Sequence, residues 1–127
     1  MHKPIHSANL PKPVGPYSAG MGFERLVFVS GQGGVDPTTG VLARDTEAQT
    51  EQCLKNIQSA LVEAGSSLRD VVRVTYVLPD AGEFKQCWPI LRKYFGEVRP
   101  AAMMISAGLA DPRMRIEIEV TARRQGS

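Results

Sequence analysis

The strand-like segments of this 127-residue chain carry apolar residues on both faces. Residues 25–30 are rich in β-branched and aromatic residues, and residues 70–78 place apolar side chains at both odd and even positions. A strand with one face in water alternates apolar and polar residues, as residues 114–122 do. The sequence therefore predicts a sheet of which both faces must be covered.

Only two helical patterns are available to cover that sheet. Residues 46–64 repeat apolar residues at helical spacing, begin with Thr46 and Gln49 at the spacing of a capping box, and end before Gly65. Residues 82–95 form the second pattern, in which Pro89 predicts a kink or a restart. We predict an α+β fold, with a mixed β-sheet and both helices packed on one face.

The second face of this sheet needs a different cover. Val27, Val29, Val71 and Val77 are predicted to lie on that face and would be exposed in a monomer. A closed homo-oligomer, in which copies of the chain cover one another, would bury them.

The remaining segments are predicted from turn and strand composition. They are an extended arm with four prolines at residues 1–16, strand character from Tyr17, a turn at residues 36–40, a return strand from Val41 and Leu42, and closing strands at residues 101–106 and 114–122.

Length and charge limit the class of protein. A chain of 127 residues fits one domain, residues 1–127, which can bury its own core. The chain has 15 Lys and Arg residues against 13 Asp and Glu, and no basic tract indicates nucleic-acid binding. No apolar run approaches a membrane span, and Cys53 and Cys87 suit buried positions rather than a disulfide framework. We expect a soluble, cytoplasmic protein.

Three groups of residues are candidates for a phosphate loop, a metal site and a general acid–base. The glycines of residues 31–34 follow a strand but precede the first helix by too much for a phosphate loop, so a bend or a close backbone approach is predicted. Pro4 between His2 and His6 argues against a metal site, and none is predicted. Glu117 and Glu119 are either solvated or, if an oligomer encloses one of them, that one is a general acid–base with a raised pKa.

Six motifs, spread from about residue 5 to residue 122, resemble those of the reactive intermediate deaminase family, also called RidA, YjgF or L-PSP. They are Gly15-Pro-Tyr-Ser18, Val29-Ser-Gly-Gln32, Asp36-Pro-Thr-Thr-Gly40, the helical stretch 52–61, Arg99-Pro-Ala101 and Ile116-Glu-Ile-Glu119. The resemblance implies a chorismate-mutase-like fold and a homotrimer with ligand clefts between subunits. It also implies a cofactor-free hydrolysis of reactive enamines and imines to a keto compound and ammonia.

The resemblance implies roles for individual residues. Glu117 would orient or activate water, and Tyr17, Ser30 and Gly31 would line the cleft. Three further cleft positions depart from the family pattern: Ala102 replaces the arginine that binds the substrate carboxylate, Met104 replaces a cysteine, and Trp88 replaces an asparagine. We therefore expect poor activity on 2-iminopropionate and a bulkier or more apolar small-molecule substrate. Arg99 and Arg73 are two candidates for the missing charge.

Two other functions compete with the deaminase. A non-catalytic, small-molecule-binding or regulatory trimer is favoured by Ala102, because the anchoring charge is lost. A ribonuclease is disfavoured, since the sequence has neither a histidine pair suited to RNA cleavage nor a basic stripe.

Overall fold

The computed structural model describes residues 2–124, which form one six-stranded sheet, two α-helices and two short 3-10 turns. The strands are β1 (His2–Ile5), β2 (Gly20–Phe23), β3 (Leu26–Gln32), β4 (Val71–Leu78), β5 (Ala101–Ser106) and β6 (Glu117–Arg123). Their order in the sheet is β1-β2-β3-β6-β4-β5. The β4–β5 pair is parallel and the other pairs are antiparallel, which confirms the predicted mixed sheet.

Helix α1 (Thr46–Glu63) has a different N-cap from the one predicted. The Asp45 carboxylate accepts a hydrogen bond from the Ala48 N–H at 2.8 Å, so Asp45 is the N-cap. The prediction of a capping box formed by Thr46 and Gln49 is therefore wrong. The buried Gln49 side chain instead donates to the Ala43 and Arg113 carbonyls and accepts from the Arg115 N–H. Gln49 therefore ties the helix to the segment that leads into β6.

Helix α2 (Phe84–Phe95) follows a 3-10 turn at Ala81–Glu83. It runs through Pro89 in one piece, so the predicted restart is wrong. Cys87, Leu91 and Phe95 are buried on its inner face. Packing of this face against the sheet outweighs the one backbone hydrogen bond that a proline removes.

The N-terminal arm contains a strand that the sequence analysis missed. Pro4 lies in β1, an edge strand, where a missing N–H is tolerated. The chain enters β2 only at Gly20, three residues beyond Tyr17. The predicted return strand is reduced to one bridge between Val35 and Leu42.

The helix-covered face of the sheet holds more valines than predicted. Val27, Val29 and Val71 are buried beneath the helices, not on the second face. A register shift between Val71 and Arg73 moves Val71 to the helix side of the sheet. Val27 and Val29 lie on that side because they pair with core-facing residues of β6. This bulge could not be read from alternation alone.

The second face is nevertheless apolar, with other residues than those predicted. Val77 lies on it half-buried, beside β5 residue Ile105. Phe28, Met103 and Ile105 are large apolar side chains that are exposed there. The face therefore carries a surface suited to burial by another chain.

Both cysteines lie in the core as predicted, and both are free. Burial raises the pKa of the Cys53 and Cys87 thiols, so neither is a ready nucleophile. Within residues 2–124, no helix is long and apolar enough to cross a membrane.

Candidate active site

Four of the seven predicted site residues line one cavity of about 740 Å³ beside the end of β3. They are Tyr17, Ser30, Gly31 and Glu117. Arm residues 11–14 form one wall of this cavity, and Asp111, Met114 and Glu119 form another part. We call this cavity the cavity half.

Glycines decide how closely the walls of the cavity half approach. A Cβ atom added at Gly31 would overlap Oε2 of Glu117, so the carboxylate lies directly over the Gly31 backbone. A Cβ atom added at Gly34 would collide with the backbone of Gln49 in α1. The prediction that these glycines permit close approach is confirmed.

The pKa of Glu117 is raised, first by burial and then by the neighbouring charge of Glu119. Glu117 pairs with Val77 of β4, and Glu119 pairs with Thr75 two residues along. Both carboxylates therefore lie on the sheet face away from the helices. A carboxyl group with a raised pKa can donate a proton and take one back closer to neutral pH than an ordinary glutamate can.

Ser30 and Tyr17 link the cavity to the arm. The Ser30 hydroxyl donates to the Ser18 carbonyl at 2.6 Å, and the Ser30 N–H donates to the Ala19 carbonyl at 2.9 Å. Because its proton is committed to Ser18, the Ser30 oxygen can only accept a hydrogen bond from a ligand. Tyr17 is 55% exposed at the mouth of the cavity.

The other three predicted site residues lie elsewhere in the chain. Ala102 and Met104 are level with Val74 and Tyr76 in the β4–β5 pair, on the helix side of the sheet. Trp88 of α2 packs edge-on against Phe84, which in turn contacts Tyr76.

We use the name edge half for the region that contains Trp88, Ala102, Met104 and the cavity beside Ala102. The cavity has a volume of about 520 Å³, and Arg92 and Arg99 line it with Ala102. One chain does not bring the edge half to the cavity half, because Glu117 and Ala102 lie on opposite faces of the sheet.

The two candidate arginines are separated by the structure. Arg99 lines the cavity beside Ala102. Arg73 pairs with Ala101 and Thr121 and is exposed on the face away from the helices. Sequence reasoning missed Arg92, although its position one helical turn after Trp88 could have indicated it.

The side chains that commonly bind metals are dispersed. Residues 2–124 contain no group of three or more His, Cys, Asp or Glu residues that could hold a metal ion. His2 and His6 are both exposed in the N-terminal segment.

The sheet order and the two covering helices are those of the chorismate-mutase-like α+β fold, here with a carboxylate-bearing cavity on one face. The chain belongs to the endoribonuclease L-PSP family, the family also called RidA or YjgF, whose model matches residues 7–124. The family name refers to ribonuclease activity. Our expectation that this chain does not bind nucleic acid stays a prediction.

Relatives cover nearly the whole chain. A RutC family protein of Pyrococcus horikoshii is 37% identical over 98% of this chain and its own full length. Two proteins named 2-iminobutanoate/2-iminopropanoate deaminase are also similar. That of Salmonella typhimurium is 33% identical over 98% of this chain and 100% of its own length, and that of Homo sapiens is 34% identical over 93% and 87%.

Solved structures share the fold. RidA from an Antarctic Psychrobacter superimposes with a TM-score of 0.91 at 30% identity and covers 95% of this chain and 98% of its own. TdcF of E. coli, solved with bound serine, has a TM-score of 0.90 at 28% identity and covers 97% and 99%.

Proposed function

We propose that this protein is a cofactor-independent deaminase that hydrolyses reactive imines or enamines to a keto compound and ammonia. The observation that carries the proposal is the Glu117 carboxyl group, which lies over the Gly31 backbone in a cavity and has a raised pKa. Two relatives at 33% and 34% identity are named for the hydrolysis of 2-imino acids, which supports the same class of substrate here.

The chemistry needs one group that moves protons in both directions. With an enamine, protonated Glu117 gives its proton to the carbon next to the C–N bond and leaves an iminium ion. The resulting carboxylate then takes a proton from water as the water oxygen bonds to the iminium carbon. The carbinolamine nitrogen takes this proton from Glu117 and leaves as ammonia. The carboxylate takes the hydroxyl proton as the C=O bond forms, so Glu117 ends protonated, as it began.

We propose that the cleft is completed between copies of the chain in a homotrimer. Two features support this assembly. Strand β5 ends the sheet, and within residues 2–124 no strand pairs with its outer edge. The apolar second face, with Phe28, Met103 and Ile105, is exposed in one chain. The edge half of one copy would then meet the cavity half of the next.

The test is the decay of two substrates, 2-iminobutanoate and a bulkier 2-imino acid, each generated in place by an amino-acid oxidase, with purified wild-type protein and a Glu117→Gln variant. Removing a general acid–base group should lower kcat by about 100-fold or more. Glu47→Gln is the matched control, because Glu47 is exposed in the first turn of α1, away from both half-sites. Equal rates for wild type and Glu117→Gln would overturn the catalytic role.

One observation favours a second candidate function, a small-molecule-binding or regulatory trimer without turnover. Ala102 offers no polar group to a ligand in the edge half. Such a protein would show a ligand-dependent rise in Tm with 2-oxobutanoate but no acceleration of imine decay, because binding to the folded state alone raises stability.

A further inference from the structure

We infer that Arg99, with Arg92 beside it, binds the carboxylate of the substrate from the edge half of the cleft. This inference rests on the proposed function, since it names the anion-binding residue of the same cleft. It follows from where charges lie in the two half-sites and from the backbone conformation of Arg99.

The cavity half is a poor place for an anion. Glu117, Glu119 and Asp111 line it, and Lys12 is the one cationic side chain among its lining residues in the described chain. Asp111 forms an ion pair with Arg113 at 2.7 Å, which leaves the two glutamates facing the cavity. Substrates such as 2-iminobutanoate carry a carboxylate, and like charges at close range repel. The imine nitrogen suits this half, and the carboxylate must lie elsewhere.

The edge half has the opposite charge balance. Arg92 and Arg99 line its cavity with Glu97 as the opposing charge, and the floor is apolar, formed by Leu91, Phe95 and Ala102. An arginine beside an apolar floor binds a carboxylate through charge-assisted, often paired hydrogen bonds. The small Ala102 side chain leaves the space above the floor open for that group.

The backbone of Arg99 adds a second, independent observation. Arg99 has φ of +51°, a left-handed conformation that few residues other than glycine adopt, and it lies directly before Pro100. The preceding turn is held by hydrogen bonds from the Gly96 N–H to the Arg92 carbonyl and from the Val98 N–H to the Phe95 carbonyl. Strained residues of this kind cluster at ligand sites. An arginine here gives up backbone stability that glycine would supply, which is expected if its guanidinium is needed.

The test measures binding of 2-oxobutanoate, the stable keto acid product, by NMR titration. Its methyl ester serves as a neutral probe that differs by one methyl group. Arg99→Gln should weaken 2-oxobutanoate binding by about tenfold to hundredfold, the usual value of a hydrogen bond to a charged group, and leave ester binding unchanged. Arg69→Gln is the matched control, since Arg69 is exposed in the Leu68–Asp70 3-10 turn and lines neither half of the cleft.

A second variant keeps the test independent of folding. Arg99→Gly relieves the left-handed strain, so it should raise Tm while weakening 2-oxobutanoate binding as Arg99→Gln does. Unchanged affinity in both Arg99 variants, weakening by Lys12→Gln alone, or no saturable binding of 2-oxobutanoate by wild type would each overturn the inference. Glu117→Gln should keep Arg99-dependent binding, so failure of the anchor and failure of catalysis are separable.

Discussion

The cavity half and the edge half differ in how complete they are within a single chain. The cavity half has its walls in place: Glu117 is packed over Gly31, and the Ser30 hydroxyl is fixed by the Ser18 carbonyl. The edge half is open, with Trp88 39% exposed and β5 at the end of the sheet. The chemical group is thus positioned within the chain, and the residues that we expect to select the substrate lie at its boundary.

The two halves also differ in charge, and this difference gives the complete cleft a direction. Carboxylates dominate the cavity half and arginines the edge half. A 2-imino acid carries a basic nitrogen on C2 and a carboxylate on the adjacent C1, so it would fit where the two halves meet in one orientation only. That orientation would place the imine carbon at Glu117 and the carboxylate at Arg99.

The largest effect is expected from mixing two damaged chains. The Glu117→Gln variant alone, or the Arg99→Gln variant alone assayed well below KM, should turn over 2-iminobutanoate at background rates in the proposed homotrimer. If the two halves come from different copies, each mixed trimer should contain one intact cleft out of three. Co-expression of the variants with two affinity tags isolates these mixed trimers, and they should regain about one third of the wild-type rate.

A different outcome would contradict the idea that the two halves of a cleft come from different copies. If Glu117 and Arg99 of the same copy formed a cleft, every cleft in the mixture would carry one lesion and no activity would return. Wild type co-expressed with the Glu117→Gln, Arg99→Gln double variant is the reference for exchange, because its intact clefts contain only wild-type halves.

The sequence predicted the cavity half better than the edge half, and the reason is physical. The family resemblance placed Glu117, Ser30 and Gly31 in one cleft, and the structure shows that they lie on the neighbouring strands β6 and β3. The left-handed φ of Arg99 depends on the turn after α2, which no period of two or 3.6 residues encodes. The sequence therefore offers Arg99 and Arg73 as equal candidates, and only the structure puts Arg99 beside Ala102.

The fold shows the same division. Helix α1 and the C-terminal Gly65, with φ of +77°, follow from local pattern, and both are found. The bulge between Val71 and Arg73 is set by pairing with β6, so alternation assigned Val71 to the wrong face. Asp45 supplied the cap in place of Thr46, because Thr46 and Gln49 are buried in contacts to distant segments.

A smaller effect is expected from a single methyl group in the cavity half. Gly31→Ala places a Cβ atom against Glu117 Oε2, so the carboxyl must move by about 1 Å, a displacement that can cost on the order of 100-fold in kcat. Gly108→Ala is the control, because an added Cβ there meets no atom within 4 Å. Steady-state kinetics on 2-iminobutanoate separates the two variants, and equal kcat values would show that the contact between Gly31 and Glu117 does not matter.

The smallest effect concerns pH and tests whether the charge of Glu119 acts on Glu117 within the cavity half. 2-Iminobutanoate enters the reaction at the water-addition step, for which Glu117 must be ionised. The pKa of Glu117 is raised by burial and then by Glu119, so Glu119→Gln should lower that pKa and move the acidic limb of kcat/KM to lower pH. A carboxyl whose pKa is raised on folding holds its proton more tightly in the folded state. It therefore costs stability as pH rises above the ordinary glutamate value. Glu119→Gln should accordingly raise Tm slightly near neutral pH, and this gain should vanish near pH 4, where Glu117 is protonated in both proteins. A limb that stays in place, as it should in Glu47→Gln, would mean that burial alone sets the pKa of Glu117 and that the charge of Glu119, two residues along β6, does not affect it.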